Sequence, residues 1–238
     1  MAIAASQSIA PDATAFAAPE APFTLSDPAA APGLGVSSAP SPTMLGNLVG
    51  EDGAVMAQTQ LAPQNASVGL WTSDIPGVPE VNIGGSPAFQ AAVSAQLDTL
   101  AATATGRAQL TQLGAAAGNT PLYVLEGNAN FSGQFRDDNG NVSGNAVVLD
   151  GAYAANPDGT TYEQADGTVI PMPMFVTIAH ELGHLNGVYS GANQAEGAPP
   201  YSDVFDAEEN RVIDTVENPL RQEVGLPLRT EYYGNYQY

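Results

Sequence analysis

The chain is 238 residues long and 44% hydrophobic, enough for one domain with its own core, or for one domain and a tail. Its 25 acids face only 5 bases, all of them arginine, and the net charge of −20 excludes nucleic-acid binding by counterion release and attachment to anionic membrane surfaces. No apolar run approaches the roughly 20 residues of a membrane span, and the lack of cysteine removes disulfides, thiol catalysis and thiolate-held metals, which leaves oxygen and imidazole chemistry.

Residues 1–50 hold 13 Ala, 7 Pro and 6 Ser, with Asp12, Glu20 and Asp27 as the charged side chains. That composition buries too little apolar surface to offset the entropy of ordering. Residues 1–70 are therefore expected to form a disordered tail, and 71–238 the folded domain. The tail has neither the basic n-region nor the continuous apolar stretch of a Sec signal. The first base in the chain is Arg107, which also argues against a mitochondrial presequence. It reads as a flexible linker, or as an export signal for a secretion system that recognises unstructured Ser/Ala/Pro-rich N-termini.

Beyond Gly69 the texture changes. Val81-Asn82-Ile83 reads as a short strand. Ser86 and Pro87 make an N-cap and first-turn pair for a helix with Phe89, Val93, Leu97 and Leu100 on one face. A second helix is expected from Thr105 to Leu113, ended by Gly114. Leu122–Leu125 and Ala146–Leu149 read as strands joined by a Gly/Asn/Asp-rich connection. Asp137-Asp138-Asn139-Gly140 in that connection lacks the later Glu of a calcium loop and reads as a surface turn. Residues 151–170 read as a polar loop.

Pro171 to Val188 reads as a helix stopped by Gly187, and it carries His180-Glu181-Leu182-Gly183-His184. Positions i and i+4 lie one turn apart on one face, so both imidazoles can reach one Zn²⁺. Glu181 can reach a zinc-bound water as general base and pass its proton to a leaving amine. These are the two histidines of the whole chain. Their spacing with Glu after the first has an accidental frequency on the order of 1 in 2,000. Without spare histidine or any cysteine, serine and cysteine hydrolases are poor alternatives.

A third ligand must then be a carboxylate, expected from a downstream helix over 206–224 that is kinked at Pro219 and stopped by Gly225. With Glu209 at 0° and about 100° per residue, Ile213, Val216, Leu220 and Val212 fall within about 60° of it. Glu209 thus sits on the apolar face, where a lone carboxylate is costly unless paired or metal-bound. Glu208 falls about 100° away towards solvent and Glu217 about 80° to the other side. Glu209 is the expected ligand, with Glu217 and Glu208 as alternatives and Asp203, Asp206 and Asp214 as outsiders. Glu223 reads as solvated.

These motifs resemble the zinc-metallopeptidase family of bacterial type III effectors typified by NleD and by effectors of plant pathogens. The resemblance rests on residues 178–187, on Glu209 and on Glu217 to Tyr232, and more loosely on Ile83 to Phe89, so it spans about 80–238. It implies a zincin-like α+β fold with a small β-sheet and a C-terminal ligand helix, one zinc, and proteolysis of signalling proteins, mitogen-activated protein kinases among them, inside a host cell. A second similarity is to clostridial neurotoxin light chains. There the zinc centre is joined by a downstream Arg-x-x-Tyr and by a Glu twelve residues before that Arg. Arg229 and Tyr232, with Glu217, match that pattern and imply an oxyanion-stabilising pair steadied by a buried carboxylate; Tyr233 is the alternative phenol. A secreted, monomeric zinc endopeptidase with a host protein as its substrate is the leading expectation. An extracellular protease of unrelated role and a zinc-stabilised binding module with an incidental Glu181 are its rivals.

Overall fold

Short strands, the longest of them buried on both faces, build the main sheet of the computed structural model, which describes residues 47–50, 68–137, 139–193, 203–230 and 234–237. Its six strands are β1 (Asn47–Gly50), β2 (Val68–Trp71), β3 (Val81–Gly84), β4 (Leu122–Gly127), β5 (Phe131–Arg136) and β6 (Val142–Asp150), in the order β1-β5-β6-β4-β3-β2. β3, β4 and β6 run parallel, and β5 is antiparallel to β6. Leu122, Val124, Val147 and Leu149 point into the principal core, whereas Leu125, Ala146, Val148 and Phe135 form a smaller cluster with Tyr123 and Phe131. Side chains one apart on a strand face opposite sides, so these are the two faces of the sheet.

Two helices cover the first face, the first and the third in chain order, and the second packs on both. α1 (Pro87–Ala102) is capped by Ser86, whose hydroxyl accepts the Phe89 N–H, and it buries Phe89, Val93, Leu97 and Leu100. α2 (Ala104–Ala117) does not stop at Gly114 but runs on to a Gly118 cap with φ 59°. Gly114 serves close approach instead: a Cβ there would lie 2.2 Å from the Gly77 carbonyl oxygen. α3 (Met174–Ser190) packs on α1, α2, β5 and β6, and every side chain from Met174 to Gly187 is buried. It passes through Gly187 and ends at Gly191, φ 71°, which supplies the left-handed cap.

Two expected loops are ordered structure. The connection before β6 holds β5, whose apolar face Phe131-Gly133-Phe135 is diluted by a glycine. Its other face carries Ser132 and Gln134, which are also buried. Hydrophobic periodicity therefore had little to report. The turn after β5 is the expected surface turn, and the structure makes it an Asx turn, with Asp137 accepting the N–H groups of Asn139 and Asn141. Within 151–170, a 3₁₀ turn (Gly151–Ala154) is followed by β7 (Thr161–Gln164), and β8 (Val169–Pro171) comes next. These two strands and β9 (Gly234–Gln237) form a second sheet in the order β8-β7-β9. β9 lies some seventy residues from β7, so no local signal announces the pairing. Within the stretch 1–70, β1 and the first residues of β2 are in the main sheet, and the remainder lies outside the described residues.

The C-terminal helical stretch is divided differently from the expected single kink at Pro219. α4 (Asp203–Val212) leads into a π turn (Ile213–Glu217), and α5 (Asn218–Glu223) follows, ending near Gly225 with φ 73°. The break precedes Pro219 because proline lacks the N–H that would close the preceding α turn.

Candidate metal centre

Gly183 lets α4 and the π turn lie directly on α3: a Cβ there would stand 2.8 Å from Val212 Cγ1 and 3.1 Å from Val216 Cγ2. The close approach presents three glutamates to the two histidines. Glu209 follows from α4 alone. Glu217 would lie about 80° from it in an unbroken α-helix, but a π turn adds about one residue to the turn and rotates the next residues back by roughly 100°. That local irregularity brings Glu217 onto the histidine side.

His180 Nε2 and His184 Nε2 are 3.1 Å apart. Glu209 Oε2 lies 3.1 Å from the first, and Oε1 lies 3.4 Å from the second. Each ring's other nitrogen meets a carboxylate: His180 Nδ1 is 3.0 Å from Glu217 Oε2, and His184 Nδ1 is 3.0 Å from Glu208 Oε1. An imidazole hydrogen-bonded at Nδ1 to an ionised carboxylate carries its proton there, which turns the Nε2 lone pair the other way. Two nitrogen lone pairs and a carboxylate then converge, an arrangement that a cation stabilises and that is otherwise repulsive. For bonds of about 2.0–2.1 Å to a tetrahedral ion, neighbouring donors stand about 3.3 Å apart. The observed spacings match, so the buried group His180, His184 and Glu209 could hold a metal ion, and zinc suits its donors.

The carboxylates around this group are held ionised. Burial pushes Glu217 up, but its bond to His180 and the charges of Arg229 and Arg221 outweigh this and hold it at about 2. Burial also opposes Glu208 and Glu209, yet both end below the ordinary carboxylate range. Arg211 and His184 lower Glu208, and the two histidines lower Glu209. Burial pulls His180 down, while Glu209 and Glu217 more than compensate and raise it to about 9. The site attracts positive charge, and a proton and a divalent cation compete for it.

Glu208 corrects the helical-wheel expectation. It is 4% exposed, not solvated, because α4 is flanked on that side by His184 and by Arg211, which grips its carboxylate through Nε at 2.7 Å and through Nη2. Glu217 is fully buried. Its Oε1 accepts from Arg221 Nε at 2.8 Å, and its Oε2 accepts from Arg229 Nη1 at 3.0 Å. Arg229 is buried too, stacks 4.1 Å over the Tyr162 ring, and exchanges backbone hydrogen bonds with the Asn218 amide. Arg221, which is not among the candidates expected from the sequence, also donates to the Pro171 and Pro227 carbonyls, so it ties α5 to the entry of α3. Glu181 is buried on α3 directly after His180. Asp214 is exposed, Asp206 is half-buried and outside the metal group, and Asp203 begins α4. Glu223 is exposed as expected, but it also accepts the Ala104 and Thr105 N–H groups at the start of α2. Tyr232 and Tyr233 lie outside the described residues.

A sequence signal for the arginines existed. In a chain with five, three fall between 211 and 229, and two stand at i+3 and i+4 from Glu208 and Glu217.

The sequence model of the Peptidase M91 family, described as effector protein, matches residues 79–232. No curated protein and no solved structure matches the chain.

Proposed function

The chain belongs to the Peptidase M91 family of effector proteins, and from that membership we propose that it is a zinc-dependent endopeptidase, delivered into a host cell, that cleaves a host signalling protein. A mitogen-activated protein kinase is the first substrate to test. The observation that carries the reading is the convergence of the His180 and His184 Nε2 atoms with the Glu209 carboxylate, inside the matched region.

In this reading His180, His184 and Glu209 hold one zinc ion, which supplies a Lewis acid and a water acidic enough to be deprotonated near neutral pH. Glu181 takes the proton of the attacking water and returns it to the leaving amine. Glu217 and Glu208 accept the Nδ1 protons, so the imidazoles keep their tautomer and orientation. Arg229 and Tyr232 stabilise the charge that develops on the scissile carbonyl. The contact of Arg229 with Glu217 and its stacking on Tyr162 support a fixed guanidinium plane. With a net charge of −20, the chain is read as acting on protein rather than nucleic acid.

The test is a proteome-wide comparison of protein N-termini in host-cell extract treated with zinc-loaded chain or with Glu181→Gln. New N-termini generated by the first and missing with the second support a peptidase and name its substrate. Identical sets of N-termini would overturn the proposal.

A further inference from the structure

The two imidazoles are braced in unequal ways. Behind His180, Glu217 and Arg221 are fully buried. Behind His184, Glu208 is buried, but the side chain of Arg211 is 27% exposed. Arg211 meets Glu208 with Nε at 2.7 Å and with Nη2, using both carboxylate oxygens, and Nη2 also donates to the Gly183 carbonyl at 3.2 Å. Glu208 Oε1 is the atom 3.0 Å from His184 Nδ1. A planar guanidinium gripping both oxygens fixes the carboxylate plane, and that plane fixes the direction in which His184 Nδ1–H can donate.

The helix leaves room for this brace. Gly187 is one turn beyond Gly183 inside α3, and a Cβ at Gly187 would stand 2.5 Å from Arg211 Nη2 and 3.1 Å from Asn193 Cβ. The guanidinium cannot yield without breaking its bonds to Glu208 and Gly183. Glycine costs stability in a helix interior relative to alanine, so a glycine under a bound guanidinium marks a place where helix strength gives way to the position of Arg211.

We infer that Arg211 is a positioning residue of the metal centre: it acts through Glu208 to hold His184 with Nε2 on the ion. The inference rests on the proposed metal centre. It assigns no direct contact between Arg211 and the ion or a substrate. Removing a direct partner of a metal ligand typically weakens metal binding about 10–100-fold. Arg211 stands one step further back, behind Glu208, so its loss belongs at the lower end of that range.

The experiment measures zinc affinity of the full chain by competition with a chromophoric chelator, together with the visible absorption of the cobalt-loaded chain. Arg107→Ala makes the same charge change at an exposed side chain outside the metal group, which donates to the Ala101 and Ala102 carbonyls. Arg211→Ala should weaken zinc about tenfold and alter the cobalt spectrum, while Arg107→Ala leaves both unchanged. Gly187→Ala crowds the guanidinium against its bonds to Glu208 and the Gly183 carbonyl, so it should weaken zinc as Arg211→Ala does. In a Glu208→Gln background, Arg211→Ala should have little further effect. Wild-type chain that takes up no zinc would overturn the metal centre itself. Wild-type chain that binds zinc, with Arg211→Ala and Gly187→Ala binding equally well, would overturn the positioning role alone. An undiminished Arg211→Ala effect in the Glu208→Gln background would overturn its route through Glu208.

Discussion

Arg229 stands twelve residues after Glu217 in the chain and 3.0 Å from it in space, on the same carboxylate oxygen that meets His180 Nδ1. One oxygen thus links a residue of the Arg-x-x-Tyr segment to an imidazole of the metal group. A change at Arg229 reaches His180 through this shared acceptor.

Arg229→Ala should for that reason show two effects. If Arg229 serves the oxyanion as proposed, its loss lowers kcat by about 10²–10³-fold, and loss of an Nδ1-side brace weakens zinc by about tenfold. Arg229→Lys should rescue little, since an ammonium reproduces neither the planar fork nor the stacking on Tyr162. Tyr232→Phe should lower kcat and leave zinc affinity as it was. Peptide kinetics alongside chelator competition separate the cases, and a normal kcat in both variants would remove the oxyanion role.

Purified chain should carry about one zinc, and His180→Ala or His184→Ala should lose it, as read by elemental analysis. Chelation should lower Tm. At a thousandfold excess of free zinc over Kd the bound ion is worth about 4 kcal/mol, roughly 10 °C for a domain of this size. Stoichiometric zinc in the double histidine variant would refute the site.

Glu209→Ala should weaken zinc far more than Glu208→Ala, because only Glu209 faces both Nε2 atoms. Glu208→Ala should still cost about 10–100-fold, since it removes the acceptor for His184 Nδ1. Wild-type affinity in Glu208→Ala would mean that the bond to His184 has no bearing on the ion.

Glu217→Ala should be among the most destabilising substitutions in the chain. It leaves the buried Arg221 and Arg229 without their carboxylate, and breaking such a buried group typically costs about 3–5 kcal/mol. Urea unfolding of the metal-free variant measures it. Glu217→Gln, which keeps an acceptor, should lose less.

Gly114→Ala should destabilise α2 even though alanine is the better helix former. The added methyl meets the Gly77 carbonyl oxygen, a backbone atom, at 2.2 Å, and overpacking of this kind costs about 1–3 kcal/mol. A raised unfolding midpoint would show that the contact relaxes.

Much of the molecule is set by local rules that the sequence carries by itself. Ser86-Pro87 starts α1 because a hydroxyl cap and a fixed φ act within four residues. His180 and His184 share a face because a helix turns every 3.6 residues. Glu209 lies amid apolar neighbours for the same reason. Where an ideal helix stopped being ideal, only the tertiary structure decided. The π turn rotates Glu217 onto the histidines, a change that no wheel drawn at 100° per residue contains. Glu208 is buried because α3 and Arg211 cover it, not because its own neighbours are apolar. Gly114 and Gly187, which read as helix stops, are gaps cut for the Gly77 carbonyl and for Arg211. β5 and β7 owe their place to partners across the fold, and β9 reaches β7 from seventy residues away. Helix phase and capping are settled within a few residues of chain, whereas burial, close approach and the pairing of charges depend on what the rest of the chain brings alongside.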